Sequence, residues 1–294
     1  MSGRSEQILS LAGVGAPFTE HHDLSALFKQ AMLNKVHGIC FSPYVEGQGP
    51  GDKITKEQIR HRLELIAPYT KWIRTFSCTD GNEFIPEIAR EFELKVLAGA
   101  WLGASDKINQ EEIENLIELA NNGHADIIAV GNEVMYRGDL TEEELLVHLY
   151  QVKNETKDIP VGYVDAYYEF ENRTQITQAC DVILANCYPF WEGCTFEYSL
   201  LYMKDMYHRA MKASGGKKVI ITETGWPSRG EEFYGAVPSF HNALSYFINT
   251  QQWSREEAID IFYFSSFDEP WKTDSEGDVG AFWGLWDKTE KLKF

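Results

Sequence analysis

Two glutamates stand directly after short apolar runs of the sequence, at positions where a carboxyl group can do chemistry. Glu133 follows Gly131-Asn132 at the end of one run, and Glu223 follows Thr222 at the end of another. If both runs are strands of one sheet that closes on itself, their ends can face each other across a cleft. Two facing carboxyl groups are what glycoside hydrolysis requires: one donates a proton to the leaving oxygen, and the other attacks the anomeric carbon or activates water.

Position alone is weak support, because a chain with 45 acidic residues places some of them at strand ends by chance. The neighbouring residues strengthen the hypothesis. Asn132 can hydrogen-bond a sugar hydroxyl beside Glu133, and Trp226 offers a flat apolar face beside Glu223. The plain alternatives are that Asn132 is a turn residue and that Trp226 fills space between a helix and a strand.

The elements that must position these residues follow a regular pattern. Short apolar runs begin about 32 residues apart, and each is followed by a segment with helical spacing or turn chemistry, which is typical of βαβ units. Runs that are continuous rather than alternating are expected of strands covered on both faces. The runs span residues 38–42, 72–76, 96–100, 127–130, 161–164, 182–185, 219–221 and 261–264.

The capping-box pattern, a Ser, Thr or Asn followed three residues later by Glu or Gln, predicts where amphipathic helices start. It occurs at Thr55–Gln58, Asn109–Glu112 and Thr141–Glu144. Further helices are expected at residues 85–92, 174–179, 200–213 and 240–250.

Eight strand–helix repeats in about 260 residues predict an α/β fold, a (β/α)8 TIM barrel, in a single domain over residues 36–294. Residues 1–35 form a lead-in segment, in which Leu24 to Leu33 is expected to be a helix closing the barrel floor. Catalytic groups of such a barrel lie just past the C-terminal ends of the strands. Strands four and seven lie on opposite sides of the central mouth, so this fold would bring Glu133 and Glu223 face to face.

Three segments that contain these residues are similar to those of a known enzyme family. Lys217 to Gly230, which reads KKVIITETGWPSRG, looks like the signature of glycoside hydrolase family 17, the β-1,3-glucanases and their transglycosylating relatives. Val130 to Glu133 resembles the acid/base motif of that family, and Phe267 to Lys272 is similar to its segment carrying an additional glutamate and lysine. The resemblance extends from about Val36 to the end of the chain, and its first strand looks more like the microbial members.

The resemblance implies that Glu133 is the general acid/base and Glu223 the nucleophile of a retaining double displacement. Glu269 and Lys272 would be supporting residues. Tyr188 would lie near the nucleophile or, alternatively, be a core or rim aromatic. A retaining pair needs its carboxyl groups about 5 to 5.5 Å apart. At that distance Glu133 is expected to stay protonated while Glu223 is ionised.

Aromatic residues near strand ends are expected to bind sugar rings, because the C–H faces of glucose are apolar and pack on flat rings. Trp191 and Trp271 are the preferred stacking residues, since each follows a strand end in a loop beside polar groups. Arg74 and Asp165, also near strand ends, would bind hydroxyl groups or pair with neighbouring charges.

The composition excludes several classes of partner. The 27 basic and 45 acidic residues give a net charge of −18, which repels nucleic acids and anionic membranes. An aromatic content of 13% fits a neutral polysaccharide instead. Neither a dinucleotide-binding glycine loop nor a histidine spacing typical of metal sites occurs, so no cofactor and no metal is expected.

The sequence therefore favours an endo-acting hydrolase of laminarin-like β-1,3-glucans. A β-1,3-glucan transglycosylase is the alternative, because the same carboxyl pair serves both reactions and the acceptor subsites decide the outcome. A non-catalytic glucan-binding barrel is the third hypothesis, and the intact Glu133 and Glu223 argue against it. The polar start, Met1 to Gln7, carries no secretory signal, so the chain as given is expected in the cytoplasm; a trimmed form of a secreted or periplasmic protein would look the same.

Overall fold

Eight parallel strands form a closed barrel in the computed structural model, which describes residues 23–294. Each strand pairs with the next along the chain, and the last pairs with the first. The (β/α)8 barrel and all eight strands expected from the sequence are confirmed. The strands are β1 (Val36–Cys40), β2 (Thr70–Arg74), β3 (Lys95–Ala100), β4 (Ile127–Asn132), β5 (Val161–Ala166), β6 (Val182–Asn186), β7 (Val219–Thr224) and β8 (Ile261–Tyr263).

The first two strands begin and end two residues earlier than the apolar runs suggest. His37 in β1 and Lys71 in β2 are polar and hide the start of each strand from the apolar pattern. At the other end the apolar run continues past the strand into the loop, where Phe41 still hydrogen-bonds the carbonyl of Arg74. Apolar continuity therefore marks buried chain here, and strand ladders only approximately.

Helices lie between the strands and cover the barrel. Those of the described residues are α1 (Leu24–Leu33), α2 (Lys56–Ile66), α3 (Ile85–Glu91), α4 (Asp106–Asn121), α5 (Val134–Arg137), α6 (Glu142–Glu155), α7 (Glu169–Asn172), α8 (Thr174–Ala179), α9 (Ser199–Ala213), α10 (Phe240–Glu257) and α11 (Thr273–Glu276). Short 3₁₀ turns occur at Ala67–Tyr69, Asn82–Phe84, Phe196–Tyr198, Pro270–Lys272 and Asp278–Phe282. None of the helices within residues 23–294 is long and apolar enough to cross a membrane.

Two of the three predicted helix starts are confirmed, and the third is wrong. Thr141 and Glu144 form a reciprocal capping box at α6, and the Thr55 side chain accepts from the Gln58 amide at α2. Asn109 and Glu112 lie inside α4, which starts three residues before Asn109. Their side chains instead hydrogen-bond the loops that follow β2 and β3, so the polar spacing of a capping box here serves a tertiary contact.

The predicted helix at Leu24–Leu33 is present as α1. It contacts α10 and the 3₁₀ turn at Ala67–Tyr69, so it packs against the outer helices on either side of the junction between β8 and β1. Phe28 lies 5.1 Å from Phe247 of α10, ring centre to ring centre. A role in closing the barrel floor stays a prediction, and residues 1–22, with the polar start at Met1 to Gln7, lie outside the described residues.

The strand register is irregular at the ends of the strands that carry the polar residues of interest. The pairing shifts between Ala129 and Asn132 of β4, between Ala185 and Asn186 of β6, and towards Thr224 of β7. Such irregularities re-aim side chains at the rim of a barrel. They occur at the C-terminal ends, where the mouth of the barrel opens.

Candidate active site

A cleft of about 1520 Å³ lies over the C-terminal ends of the strands. Glu133 directly follows β4, and Glu223 is the second-last residue of β7. Both side chains line the cleft. The loops after all eight strands contribute residues to its walls, among them Tyr44, Ser77, Trp101, Tyr136, Tyr168, Trp191, Tyr234 and Trp271. The barrel therefore brings the two glutamates into one open groove, as its topology requires.

Glu223 is surrounded by hydrogen-bond donors. Arg74 Nη1 lies 2.6 Å from its Oε1, Asn186 Nδ2 lies 3.0 Å from the same oxygen, and the Tyr188 hydroxyl donates to Oε2 at 2.8 Å. Arg74 reaches it from β2 across the barrel interior, where its side chain is 1% exposed. A guanidinium group and two further donors therefore fix the position and orientation of this carboxyl group.

Glu133 occupies a different environment. Its backbone has φ of 51°, a left-handed conformation that is uncommon outside glycine. Burial raises the pKa of its carboxyl group to about 7; the charges of Glu223 and Asp165 act in the same direction, while the hydrogen bond from Asn186 acts against them. The group is therefore protonated below neutral pH, as a general acid must be.

The distances from one amide nitrogen limit how far apart the Glu133 and Glu223 carboxyl groups can be. Asn186 Nδ2 lies 2.8 Å from Glu133 Oε1 and 3.0 Å from Glu223 Oε1. Two oxygens that share a nitrogen at these distances are no more than about 6 Å apart. Carboxyl pairs of retaining enzymes are about 5 to 5.5 Å apart, and those of inverting enzymes about 6.5 to 9.5 Å. The Oε1 atoms of Glu133 and Glu223 therefore lie closer together than the inverting range, which favours a retaining pair.

The two terminal nitrogens of the Arg74 guanidinium link Asn132 to Glu223. Arg74 Nη2 donates to Asn132 Oδ1 at 2.6 Å, while Nη1 holds Glu223. With its Oδ1 held by Arg74, Asn132 keeps its Nδ2 amide for a sugar hydroxyl in the cleft it lines. Arg74 itself is buried beneath the cleft, so of its two predicted roles the structure favours charge pairing over contact with hydroxyl groups.

The loop after β8 adds a second charged pair at the cleft wall. Lys272 Nζ lies 2.9 Å from Glu269 Oε2, and both side chains line the cleft. Burial works against the charged form of Lys272, but Glu269, Glu276 and Glu223 more than offset it, so its pKa is raised. The lysine therefore stays a cation close to the nucleophile candidate.

The predicted aromatic binders divide into two groups. Trp191 and Trp271 line the cleft, and the Trp271 Nε1 is buried with no hydrogen-bond acceptor among the described residues. Trp226 was expected to offer its face to the sugar, and this is wrong: it is 1% exposed and lies outside the cleft lining. The chain turns at Gly225 against the carbonyl of Phe264, which sends the indole outward to pack on Tyr246 of α10.

Asp165 is also absent from the cleft, contrary to its predicted contact with substrate. It is fully buried at the end of β5 and accepts hydrogen bonds from the Tyr163 hydroxyl and from backbone amides of the turn that follows Glu133. Its side chain is 0% exposed and lies beside the register shift between β4 and β5.

The described residues contain no group of three or more His, Cys, Asp or Glu side chains that could hold a metal ion.

Residues 38–284 match the family model described as the BtgE/BtgC glycoside hydrolase domain. The chain belongs to this family. The resemblance to glycoside hydrolase family 17 seen in the sequence is thereby confirmed.

Several relatives of this glycoside hydrolase domain are known. One, named glucan 1,3-beta-glucosidase, from Schizosaccharomyces pombe, is 29% identical over 79% of this chain and 78% of its own length. A solved structure, a family 17 β-1,3-glucanosyltransferase from Rhizomucor miehei, is 28% identical, with a TM-score of 0.79 over 89% of this chain and 96% of that one. An active-site mutant of the same Rhizomucor miehei enzyme, similar to this chain to the same extent, has been solved in complex with laminaritriose.

Two cleft residues of this glycoside hydrolase were missed by the sequence reasoning. Asn186 bridges the two carboxyl groups, and it directly follows the apolar run at 182–185, so the rule that selected Asn132 would have found it. Glu276 of α11 lines the cleft near Lys272, and burial raises its pKa. No motif marks Glu276, because it lies 13 residues beyond the end of β8, at the end of the short helix α11.

Proposed function

We propose that this glycoside hydrolase cleaves β-1,3-glucosidic bonds of laminarin-like glucans with retention of configuration, by endo attack. The observation that carries the proposal is the single amide of Asn186, which holds Glu133 and Glu223 at a spacing that favours a retaining pair. The names of the relatives, which act on 1,3-β-glucans, support the substrate class.

The reaction assigns one step to each carboxyl group. Protonated Glu133 gives its proton to the glycosidic oxygen while ionised Glu223 attacks the anomeric carbon, which forms a glycosyl-enzyme and releases the shortened glucan. The bond to Glu223 removes that negative charge, so Glu133, now deprotonated, can take a proton from water as the water displaces Glu223. Both carboxyl groups return to their starting states.

The shape of the groove supports cleavage within a chain. Lining residues lie on both sides of a line from β4 to β7: Tyr44 and Trp271 after β1 and β8 on one side, and Tyr168 and Trp191 after β5 and β6 on the other. Sugars can therefore occupy the groove on either side of the bond that breaks. An enzyme that removes single residues from a chain end is expected to close one of those sides.

Glucanosyl transfer is the second candidate, and one observation favours it: the Rhizomucor miehei structure that this chain resembles over most of both lengths is named a glucanosyltransferase. In that reaction a sugar hydroxyl replaces water in the second step. The carboxyl pair and its donors are the same for both outcomes, so the groove wall that binds the acceptor decides between them.

Incubation with laminarihexaose tests the proposal. Proton NMR of the first product is expected to show the β-anomer, and chromatography is expected to show a mixture of internal cleavage products. Products longer than the substrate would identify glucanosyl transfer, and an initial α-anomer would contradict retention. Binding without turnover would support a glucan-binding barrel instead.

A further inference from the structure

Asp165 is a buried carboxylate beside the acid/base candidate that the reaction as described does not use. It accepts four hydrogen bonds: from the Tyr163 hydroxyl, from the amide of Ala166 at 2.7 Å, and from the amides of Met135 at 3.2 Å and Tyr136 at 3.3 Å. It lines no part of the cleft. A buried aspartate with four donors and no contact with substrate is expected to serve a neighbouring group.

Two of the four donors on Asp165, the Met135 and Tyr136 amides, belong to the turn that directly follows Glu133. The Met135 amide is shared, because it also donates to the Tyr163 hydroxyl oxygen at 2.8 Å. Tyr163 and Asp165 point the same way from β5, two residues apart on one strand face. Together, the oxygens of these two side chains accept hydrogen bonds from backbone amides in the first turn of α5.

That turn is where the backbone departs from ordinary geometry. Gly131 has φ of 87° and Glu133 has φ of 51°. A non-glycine residue in this region is strained and persists only where its surroundings hold it. The Met135 and Tyr136 amides, two and three residues after Glu133, donate to Asp165 and Tyr163, and the Glu133 amide donates to the Val164 carbonyl at 2.8 Å. The bonds to Asp165 and Tyr163 therefore help to hold the turn and to aim the Glu133 side chain into the cleft.

Asp165 also contributes charge. The titratable groups facing Glu133 are Glu223 from β7, Arg74 from β2, Tyr188 after β6 and Asp165 from β5. Two of these are anions that oppose ionisation of Glu133, and Arg74 favours it. Asp165 in turn faces Tyr163, whose hydroxyl donates to it, and Glu169 of α7.

We propose that Asp165, supported by Tyr163, is a positioning residue for the acid/base carboxyl group: it holds the left-handed turn at Glu133 and supplies negative charge that keeps that carboxyl protonated. The inference rests on the proposed roles of Glu133 and Glu223. It separates into a geometric part, carried by the hydrogen bonds, and an electrostatic part, carried by the charge.

Asp165→Asn isolates the charge. An amide oxygen at the Oδ2 position keeps the bonds from Tyr163, Met135 and Tyr136, so the turn is retained while the negative charge is lost. Ionised Glu133 is then less disfavoured, and the basic limb of the pH profile of kcat/KM on laminarihexaose is expected to move to lower pH. Asp181→Asn is the matched control: Asp181 accepts the Val161 amide at 3.1 Å at the opposite end of β5, and its loss should leave the limb in place.

Asp165→Ala and Tyr163→Phe isolate the geometry. Tyr163→Phe leaves the Asp165 carboxyl group in place but removes a hydrogen bond that favours its ionised form, so its basic limb should move less than that of Asp165→Asn while kcat falls. Asp165→Ala is expected to lower kcat/KM on laminarihexaose about 10- to 100-fold, the range for losing hydrogen bonds to a charged group. On 2,4-dinitrophenyl β-laminaribioside, whose leaving group needs no proton, the loss should be only a few-fold.

The outcomes separate this proposal from the proposed function. Wild-type turnover of laminarihexaose with retention tests the function itself. If the wild type is active and Asp165→Asn leaves the basic limb unmoved, the electrostatic part is wrong. Equal losses on both substrates for Asp165→Ala, together with a lowered Tm, would reduce Asp165 to a structural residue. If Asp165→Ala does not fold, Tyr163→Phe carries the geometric test with the same pair of substrates.

Discussion

Glu133 and Glu223 share one hydrogen-bond donor, but the charges of the groups nearest to them differ in sign. Glu223 also receives the Arg74 guanidinium at 2.6 Å, in a place closed to solvent. Glu133 is partly buried, and burial and the negative charges of Glu223 and Asp165 raise its pKa to about 7. Two chemically identical side chains thus meet opposite neighbouring charges, supplied by the strands that flank them.

The difference follows from where the barrel places its buried charges. The Arg74 side chain of β2 extends through the barrel interior to Glu223 near the end of β7. β5, the neighbour of β4, instead carries Asp165 as its second-last residue. A cation beside one carboxyl group and an anion beside the other push their proton affinities apart. An acid and a nucleophile must differ in this way to work at the same pH.

The largest expected effect comes from removing the carboxyl group of Glu223, which lies beside the Arg74 cation. Glu223→Ala should lower kcat on laminarihexaose by about 10⁵-fold or more, because no glycosyl-enzyme can form. Added azide should restore cleavage of 2,4-dinitrophenyl β-laminaribioside and give the α-glycosyl azide, which NMR identifies. Glu232→Ala, an exposed glutamate of the loop after β7, is the control and should keep full activity. Rescue at Glu133 with none at Glu223 would reverse the two roles.

Removing the proton donor should cost less. Glu133→Gln is expected to lower kcat/KM on laminarihexaose by about 10² to 10⁴-fold, and far less on the dinitrophenyl substrate, whose leaving group departs without a proton. In the wild type, kcat/KM should fall as pH rises through about 7, where Glu133 loses its proton. Equal losses on the two substrates would contradict the role of acid.

The same residue makes a prediction about stability. A carboxyl group whose pKa is raised by folding stabilises the protein while it is protonated, and that contribution is lost as pH rises through the folded pKa. Glu133→Gln is neutral at every pH and carries no such loss. The Tm of the variant relative to the wild type should therefore increase between pH 5 and pH 8 by differential scanning calorimetry. A difference in Tm that is constant with pH would show that Glu133 keeps an ordinary pKa.

An intermediate effect is expected from weakening the cation. Arg74→Lys keeps the charge but cannot hold Glu223 and Asn132 with one planar fork. We expect kcat to fall about 10²-fold, with the loss of one charge-assisted hydrogen bond and of the nucleophile's orientation. Arg60→Lys is the control, because Arg60 forks onto Glu91 at an exposed site where a surface pair contributes little. Comparable losses of kcat at the two sites would show that Arg74 has no specific role in orienting Glu223.

The barrel and the glutamate pair could be predicted because both depend on position along the chain. Apolar runs at regular spacing specify the strands, and a residue that ends a strand faces the mouth of a closed barrel. The orientation of side chains one or two residues later could not be predicted in this way. Trp226 and Asp165 both follow or end strands, yet local register shifts and the close contact at Gly225 turn them into the protein.

Long-range partners were also beyond the sequence. The pattern at Asn109 and Glu112 fits a helix cap, but the Glu112 carboxylate accepts the amides of Cys78 and Trp101 from loops that only the folded barrel brings near α4. The donors around Glu223 come from β2 and the end of β6, far apart in the chain. Such contacts depend on the relative rotation of neighbouring strands, which apolar periodicity does not encode.

Asn186 gives the smallest and most discriminating test of the comparison, because its amide touches both carboxyl groups. Thr222 donates to its Oδ1 at 2.8 Å, which turns Nδ2 towards Glu133 and Glu223. Asn186→Ala removes a donor to ionised Glu133, so the basic limb of kcat/KM should move to higher pH, opposite to Asp165→Asn. The loss in kcat should be about tenfold, the value of one hydrogen bond to a charged group.

Thr222→Val distinguishes the position of this amide from its presence. The variant keeps Asn186 but frees its Oδ1, so the amide can rotate and donate to either carboxyl group less often. Its basic limb should move in the same direction as that of Asn186→Ala and by less. A limb that moves to lower pH in either variant would mean that the amide favours the protonated form of Glu133, and the contrast between the two glutamates would then rest on Arg74 and Asp165 alone.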